Sequence, residues 1–248
     1  MNAQRPTPNS EGATPKSQLG VGGFLKVAWI VLRKDLTVEV RSREIAYTTL
    51  FFAVSSVLVF SFALVKEGRA MEGAAAGILW IAIAFAGTLA LGRTFERERQ
   101  SETLRALLLA PAERPAIYVG KLAGIVILLI GAEVILVPLI AFLFQASALF
   151  TRPFWLVAIL FTGTLGYCAV GTLFAAMLVR ARSRDVLLPV LLYPVTIPVI
   201  IAGVRGTAAL LDPEPDVAML QFWVSLLTAF DAVFVTLALW TFGPLMTE

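Results

Sequence analysis

Histidine is absent from the 248-residue sequence, and cysteine occurs only once, at Cys168. Without histidine, the chain lacks the most common metal and haem ligand and the usual general base of neutral-pH catalysis. A single cysteine excludes an intramolecular disulfide and a cysteine-based metal centre. We therefore expect no catalytic residues, no metal site and no directly bound cofactor.

Charged residues are also scarce, at 15% of the sequence, whereas hydrophobic residues make up 58%. A soluble domain carries about a quarter charged residues. The apolar excess needs a second apolar phase and predicts a multi-pass protein in a lipid bilayer. The formal charge of +3 is too small to indicate a nucleic-acid-binding surface.

Six apolar segments are long enough to cross a hydrocarbon core of ~30 Å. They are predicted at residues 45–65, 73–92, 122–144, 154–179, 186–203 and 217–242. Residues 1–22 are polar and predict a disordered tail. Residues 24–43 carry apolar side chains three and four apart, which predicts an amphipathic helix at the membrane interface. The expected fold is an all-α integral membrane domain over residues 23–248, with the interfacial helix preceding six transmembrane helices.

Basic residues are concentrated on one side of the predicted spans. Residues 1–44, 93–121 and 180–185 contain seven, six and three Lys or Arg, against two, one and one in residues 66–72, 145–153 and 204–216. Because basic loops stay in the cytoplasm, this distribution predicts that both termini and the loop 93–121 are cytoplasmic.

The loop 93–121 contains a predicted short helix, Glu102–Leu109, with Ser101 placed to cap its start and Pro111 to end it. Pro115 suits the first turn of a helix that continues into the third span. One face of the short helix is apolar and consists of Leu104, Leu107 and Leu108. Either a partner protein or the chain's own spans must cover this face, and the residues alone favour neither.

Four stretches of the sequence form a recognisable combination: Gly77-Ile-Leu-Trp80, the run 85–99, Leu107-Leu-Leu-Ala-Pro111 and Ile117-Tyr-Val-Gly-Lys121. Together they resemble the haem exporter protein B family, the membrane subunits of the ABC-type complex of cytochrome c maturation. The resemblance extends from about Phe24 onward and does not include the preceding tail.

The resemblance implies an ABC-permease-like fold in a bacterial inner membrane. A separate cytoplasmic ATP-binding subunit would dock beneath the chain, further membrane subunits would handle haem, and ATP hydrolysis would drive release of a haem-loaded periplasmic chaperone. The helix Glu102–Leu109 would be the coupling helix in the groove of the ATPase. Its leucines would be the anchors, and Arg97, Glu98 and Arg99 its charged rim. Pairing of two copies is left open.

Two carboxylates and three prolines stand out inside the predicted spans. Glu133 and Asp231 lie near the middle of the third and sixth spans, where an ionised carboxylate costs at least ~2.5–3.5 kcal/mol. They would line a polar pathway, form interhelical hydrogen bonds or contact another subunit. The fifth span carries Pro189, Pro194 and Pro198, so we expect it to be bent or broken and packed in protein.

Two further interpretations belong to other functional classes. One is a secondary transporter of 3+3 inverted repeats, which would use Glu133 and Asp231 at matching positions. The unequal proline content of spans two and five argues against matching halves. The other is a membrane scaffold without a transport cycle, which would leave the predicted coupling helix unexplained.

Overall fold

A computed structural model describes residues 21–66, 69–70, 73–100, 114–181 and 183–245. Within these ranges the protein is helical, and six helices are long and apolar enough to cross a membrane. The predicted all-α membrane fold is therefore confirmed. The predicted tail, 1–22, lies outside the described residues except at its last two positions, which belong to the first helix.

Seven α-helices make up most of the described residues. They are α1 (Val21–Ser42), α2 (Glu44–Ala63), α3 (Ala74–Gln100), α4 (Arg114–Leu143), α5 (Pro153–Met177), α6 (Arg184–Leu211) and α7 (Val217–Leu245). Short 3₁₀ turns, Ser147–Phe150 and Leu178–Arg180, lie on either side of α5. Between α2 and α3, the two-residue strands β1 (Val65–Lys66) and β2 (Arg69–Ala70) pair antiparallel, with Val65 opposite Ala70.

Several helices extend beyond the apolar segments that predict them. The helix α3 continues to Gln100, and α4 begins at Arg114, so both ends of the predicted loop 93–121 are helical. Pro115 is the second residue of α4, as its position in the sequence suggests. The helix α6 continues to Leu211, past the predicted end at residue 203. Hydrophobicity marks only the apolar part of each helix, whereas the ends of α3 and α4 continue with polar residues, such as Arg97 and Arg114, that form their own hydrogen bonds.

The helix α5 is the centre of the bundle. In the apolar stretch of α5 that could cross a membrane, 72% of the residues are buried inside the protein, against 28% in α2 and 17% in α7. It packs against α3, α4, α6 and α7. The poorly buried α2 and α7 present large apolar side chains outward, such as Phe51 and Trp240. In a membrane those faces meet lipid or another subunit.

Trp80 joins three helices near the centre of the bundle. This α3 side chain is 1% exposed and lies against Gly163 of α5 and Gly203 of α6, where no side chain occupies the space. Its indole Nε1–H donates a 2.9 Å hydrogen bond to Oγ1 of Thr207. The largest buried side chain therefore has its polar group satisfied, as a buried tryptophan requires.

The prolines of α6 do not interrupt the helix. Pro189, Pro194 and Pro198 all lie within one continuous α-helix, and Pro194 and Pro198 are on its exposed side. Of the two alternatives expected for this span, bent or broken, the break is absent, and packing of the span in protein stays a prediction. Each proline removes one backbone donor and its ring crowds the preceding turn. On an exposed face the crowded carbonyl can tilt outward while the remaining hydrogen bonds hold the helix.

Candidate coupling site at the basic end of the bundle

The end of the bundle where α3 ends and α4 begins, which we call the basic end, carries five basic residues of α3, α4 and α6 whose side chains the structure describes. They are Arg93, Arg97, Arg114, Lys121 and Arg184. Of the predicted coupling residues, Arg97 is described fully, and Glu98 and Arg99 lie in the last turn of α3. Ser101, Glu102, Leu104, Leu107 and Leu108 lie outside the described residues.

The amphipathic helix α1 packs closely against the first turns of α4. Ala28 and Val31 of α1 are buried at this contact. They face Gly120 of α4, where an added Cβ would lie 2.6 Å from the Ala28 carbonyl oxygen. Gly124, one turn further along α4, faces Asp35 and Leu32 at ordinary contact distance. Two glycines four residues apart allow the close helix approach that small residues give in membrane proteins.

Lys121 fixes this contact with a buried charge. Its side chain is 2% exposed, and Nζ donates a 2.8 Å hydrogen bond to Oδ2 of Asp35 on α1. The same ammonium lies 6.0 Å from the ring centroid of Phe95 on α3. Asp35 also pairs with Lys34 at 2.9 Å. Because the charge is enclosed, loss of Asp35 would leave an uncompensated buried ammonium, which is strongly destabilising.

Arg97 makes the corresponding contact from the end of α3. Its guanidinium lies 3.2 Å from Oε2 of Glu39 and donates a 3.1 Å hydrogen bond to Oγ of Ser42, both on α1. The other carboxylate oxygen of Glu39 accepts the backbone N–H of Ala46 at 2.7 Å, in the first turn of α2. Glu39 thus satisfies one of the open donors of α2 and holds Arg97 at the same time.

These contacts connect α1 to both helices that flank residues 101–113. One carboxylate of α1, Glu39, binds the end of α3, and another, Asp35, binds the start of α4. The amphipathic pattern predicts α1 but not the partners of its carboxylates. Arg97 lies 58 positions from Glu39, and Lys121 lies 86 positions from Asp35. A lysine at the start of a strongly apolar span was a usable signal, since such a charge needs a partner.

Two further hydrogen bonds join pairs of helices at the basic end. The Arg184 guanidinium, at the start of α6, donates to the Gly92 carbonyl oxygen of α3. Arg114, the first residue of α4, donates to the Gly243 carbonyl oxygen near the end of α7 at 3.0 Å. Both bonds join helix ends that the predicted order of spans places on the same side of the membrane.

The intramembrane carboxylates both contact one stretch of α5. Glu133 of α4 is 4% exposed and accepts a hydrogen bond from the Thr164 hydroxyl. Asp231 of α7 is 6% exposed and lies beside Gly166, and its Oδ1 has no hydrogen-bond partner among the described residues. Positions 164 and 166 are about 200° apart around a helix. The two carboxylates therefore approach α5 from different sides at similar depth.

For Glu133 the structure shows an interhelical hydrogen bond, one of the three alternatives left open by the sequence. Within the described ranges no basic side chain forms an ion pair with it. Across those ranges no group of three or more Cys, Asp and Glu side chains is arranged to hold a metal ion.

A family model described as "CcmB protein" matches residues 26–245 of the chain. The chain belongs to this family. The match spans α1 from its sixth residue through the last residue of α7, so it includes the α1 contacts at the basic end and all six apolar helices.

Curated relatives carry the name "Heme exporter protein B". The protein of Rhodobacter capsulatus is 30% identical over 77% of this chain and 88% of its own length. That of Pseudomonas aeruginosa is 27% identical over 76% of this chain and 83% of its own length. The Escherichia coli K12 protein is 33% identical over 38% of this chain and 42% of its own length. The resemblance to the haem exporter protein B family is confirmed.

Proposed function

We propose that this CcmB-family chain is the membrane subunit of an ATP-driven complex of haem export and cytochrome c maturation. It would couple ATP hydrolysis by a separate subunit to haem delivery or to release of a haem-loaded chaperone. The family match and the name "Heme exporter protein B" of its relatives support this proposal. ATP and haem would be handled by partner subunits, and the chain itself would be non-catalytic.

The observation that carries the proposal is the pair of ion contacts at the basic end. An ATPase can shift membrane helices only through a contact whose energy differs between its states. Residues 101–113 connect α3 to α4, and Arg97 and Lys121 near the two helix ends bind the single helix α1. A displacement of the predicted coupling helix would therefore reach α1, α3 and α4 together.

The remaining site residues take their roles from this arrangement. Leu104, Leu107 and Leu108 would anchor the predicted coupling helix in the ATPase, with Ser101 as its cap and Glu102 in its first turn. Arg97, Glu98 and Arg99 would form the charged rim. The protein would lie in the bacterial inner membrane with both termini in the cytoplasm, because most of its Lys and Arg lie in residues 1–44, 93–121 and 180–185.

The test is complementation of cells that lack their own version of this subunit, with haem staining of c-type cytochromes. The partners of this chain are supplied together with it. The variant Leu107→Glu with Leu108→Glu places charge on the proposed anchor face, whereas Leu107→Met with Leu108→Met keeps volume and hydrophobicity. We expect rescue by the wild type and the Met variant and none by the Glu variant. Co-purification of the ATP-binding subunit should follow the same order.

The possible results separate the candidate functions. Rescue by an inserted Glu variant that still holds the ATPase would refute the leucine anchor. Failure of a well-inserted wild type, with activity that instead depends on a proton or ion gradient and on Glu133 and Asp231, would favour the secondary transporter. A scaffold would need neither an ATPase nor a gradient.

A further inference from the structure

A groove with a cavity of about 540 Å³ lies between α1, α2, α3 and α4, beside the ion contacts of the basic end. Its volume is within the range of small-ligand sites, ~300–1,000 Å³. The apolar wall comes from α2 and α4 and includes Ile45, Leu50, Ile125, Leu128, Gly131 and Ile135. We propose that this groove binds one phospholipid of the surrounding bilayer, with its phosphate at the basic end and an acyl chain along α4.

The groove has the polarity of an amphiphile. At one end it is lined by three basic side chains, Lys34, Arg97 and Lys121, and by two carboxylates, Asp35 and Glu39. The buried Lys121 serves the protein contact, but Lys34 and Arg97 are 35% and 30% exposed and can also reach a phosphate. The lining itself has one more basic than acidic side chain, which suits the negative charge that every phospholipid phosphate carries. Arg97 also lies 3.9 Å from Glu44, a contact that a bound phosphate would share.

The length of the groove fits one leaflet. Along α4 it extends from Lys121 to Ile135, and fourteen residues of α-helix rise about 21 Å. One leaflet contributes about half of a ~30 Å hydrocarbon core. The remaining length accommodates the level of the headgroup. A single lipid in the same orientation as the other lipids of that leaflet therefore fills the groove without crossing the membrane centre.

The groove is open on its outer side and contains an unsatisfied polar atom inside. Val40, Tyr47, Ile127 and Ile135 on its rim are 69%, 61%, 44% and 46% exposed, so lipid reaches it laterally. Thr49 is 1% exposed, lines the groove, and its Oγ1 has no hydrogen-bond partner among the described residues. It lies about 7.5 Å along α2 from Glu44. This buried position marks the inner wall of the groove on α2.

Gly131 provides a direct test because a Cβ placed there meets nothing within 4 Å. The variant Gly131→Phe adds a bulky side chain to the wall of the groove, and its Cβ meets no protein atom within 4 Å. Gly77 on α3 is equally open and does not line the groove, so Gly77→Phe is the matched control. The full-length chain is purified in mild detergent, and phospholipid retained per chain is measured by native mass spectrometry. Monodispersity and thermal unfolding establish that each variant is folded.

We expect wild type and Gly77→Phe to retain one phospholipid per chain and Gly131→Phe to retain at least tenfold less. Equal retention by Gly131→Phe and wild type, or no retention by the wild type, would overturn the proposal. If Gly131→Phe does not fold, the wild type is photolabelled in detergent with equimolar phosphatidylglycerol that carries a diazirine in its acyl chain.

Photolabelling has equally clear outcomes. We expect saturable labelling of α2 near Thr49 and of α4 between Ile127 and Ile135, with competition by unlabelled phosphatidylglycerol. Unsaturable labelling, or labelling spread equally over the exposed face of α7, would contradict a specific site. Label that is lost when the partner subunits are assembled would assign the groove to a partner's helix and also refute the lipid proposal.

Discussion

The contact between α1 and α4 makes Gly120→Ala the most informative single substitution. The added Cβ would lie 2.6 Å from the Ala28 carbonyl oxygen and 2.8 Å from the Val31 Cβ. Contacts between carbon and a carbonyl oxygen normally measure ~3.3–3.6 Å, so α1 must retreat from α4 by about 1 Å. The obstructing oxygen belongs to the backbone, and no change of rotamer can relieve the collision.

The expected magnitude combines three terms. Overpacking of a tight contact costs ~1–3 kcal/mol. A retreat of α1 also stretches the 2.8 Å hydrogen bond between Lys121 and Asp35, and a charge-assisted hydrogen bond contributes ~1.5–3 kcal/mol. The higher helix propensity of alanine, compared with glycine, offsets up to ~1 kcal/mol of this loss. We therefore expect Gly120→Ala to lower the free energy of unfolding by about 2 kcal/mol.

Gly124→Ala is the control, because it adds the same methyl group to the same interface. Its Cβ would lie 3.8 Å from the nearest atoms of Asp35 and Leu32, which is an ordinary contact. We expect no loss of stability and a gain of up to ~1 kcal/mol. Reversible unfolding in mixed micelles gives both free energies, and haem staining in the complementation assay gives the effect on function. Equal stability of the two variants would show that α1 and α4 are not this close.

Three further predictions concern the bundle and the basic end. Thr207→Val should lower the free energy of unfolding by ~1–3 kcal/mol, because it leaves the Trp80 indole N–H unpaired. The loss should be much smaller in a Trp80→Phe background, and equal losses in both backgrounds would contradict the hydrogen bond. Glu39→Gln keeps an acceptor for the Ala46 N–H and should lower the free energy of unfolding by less than ~1 kcal/mol. Glu39→Ala should lower it by about 1 kcal/mol more, and thermal unfolding of the two variants measures the difference. Asp231→Asn removes a buried carboxylate that costs at least ~2.5–3.5 kcal/mol when ionised. The variant should therefore have higher thermal stability and still complement. A stable variant that fails to complement would assign Asp231 a role in transport.

The sequence alone predicts the class of fold because the membrane imposes a simple rule. A long segment without charges has few alternatives to a spanning helix, and all six predicted segments lie in helices of the expected kind. Helix ends are less predictable. The polar first turns of α4 belong to the helix because Arg114 and Lys121 find partners on α7 and α1. No local pattern contains that information.

The site was predictable only where a residue's own chemistry demands a partner. Glu133 required a hydrogen bond, and the sequence could state that need but not name Thr164. The roles of Asp35 and Glu39 depend on residues that are distant in the chain. The prolines of α6 favoured a bent or broken span, and the helix is not broken. Proline content indicates a lost donor but not which side of the helix faces outward.

The long sequence separation of the α1 contacts also has a consequence for biosynthesis. Asp35 is synthesised 86 positions before its partner Lys121. At about 5–20 residues per second, the ribosome needs roughly 4–17 s to reach that lysine. Throughout this interval Asp35 lacks Lys121 and has only its neighbour Lys34 as a basic partner on α1. The contact between α1 and α4 can therefore form only after the first turns of α4 have been synthesised.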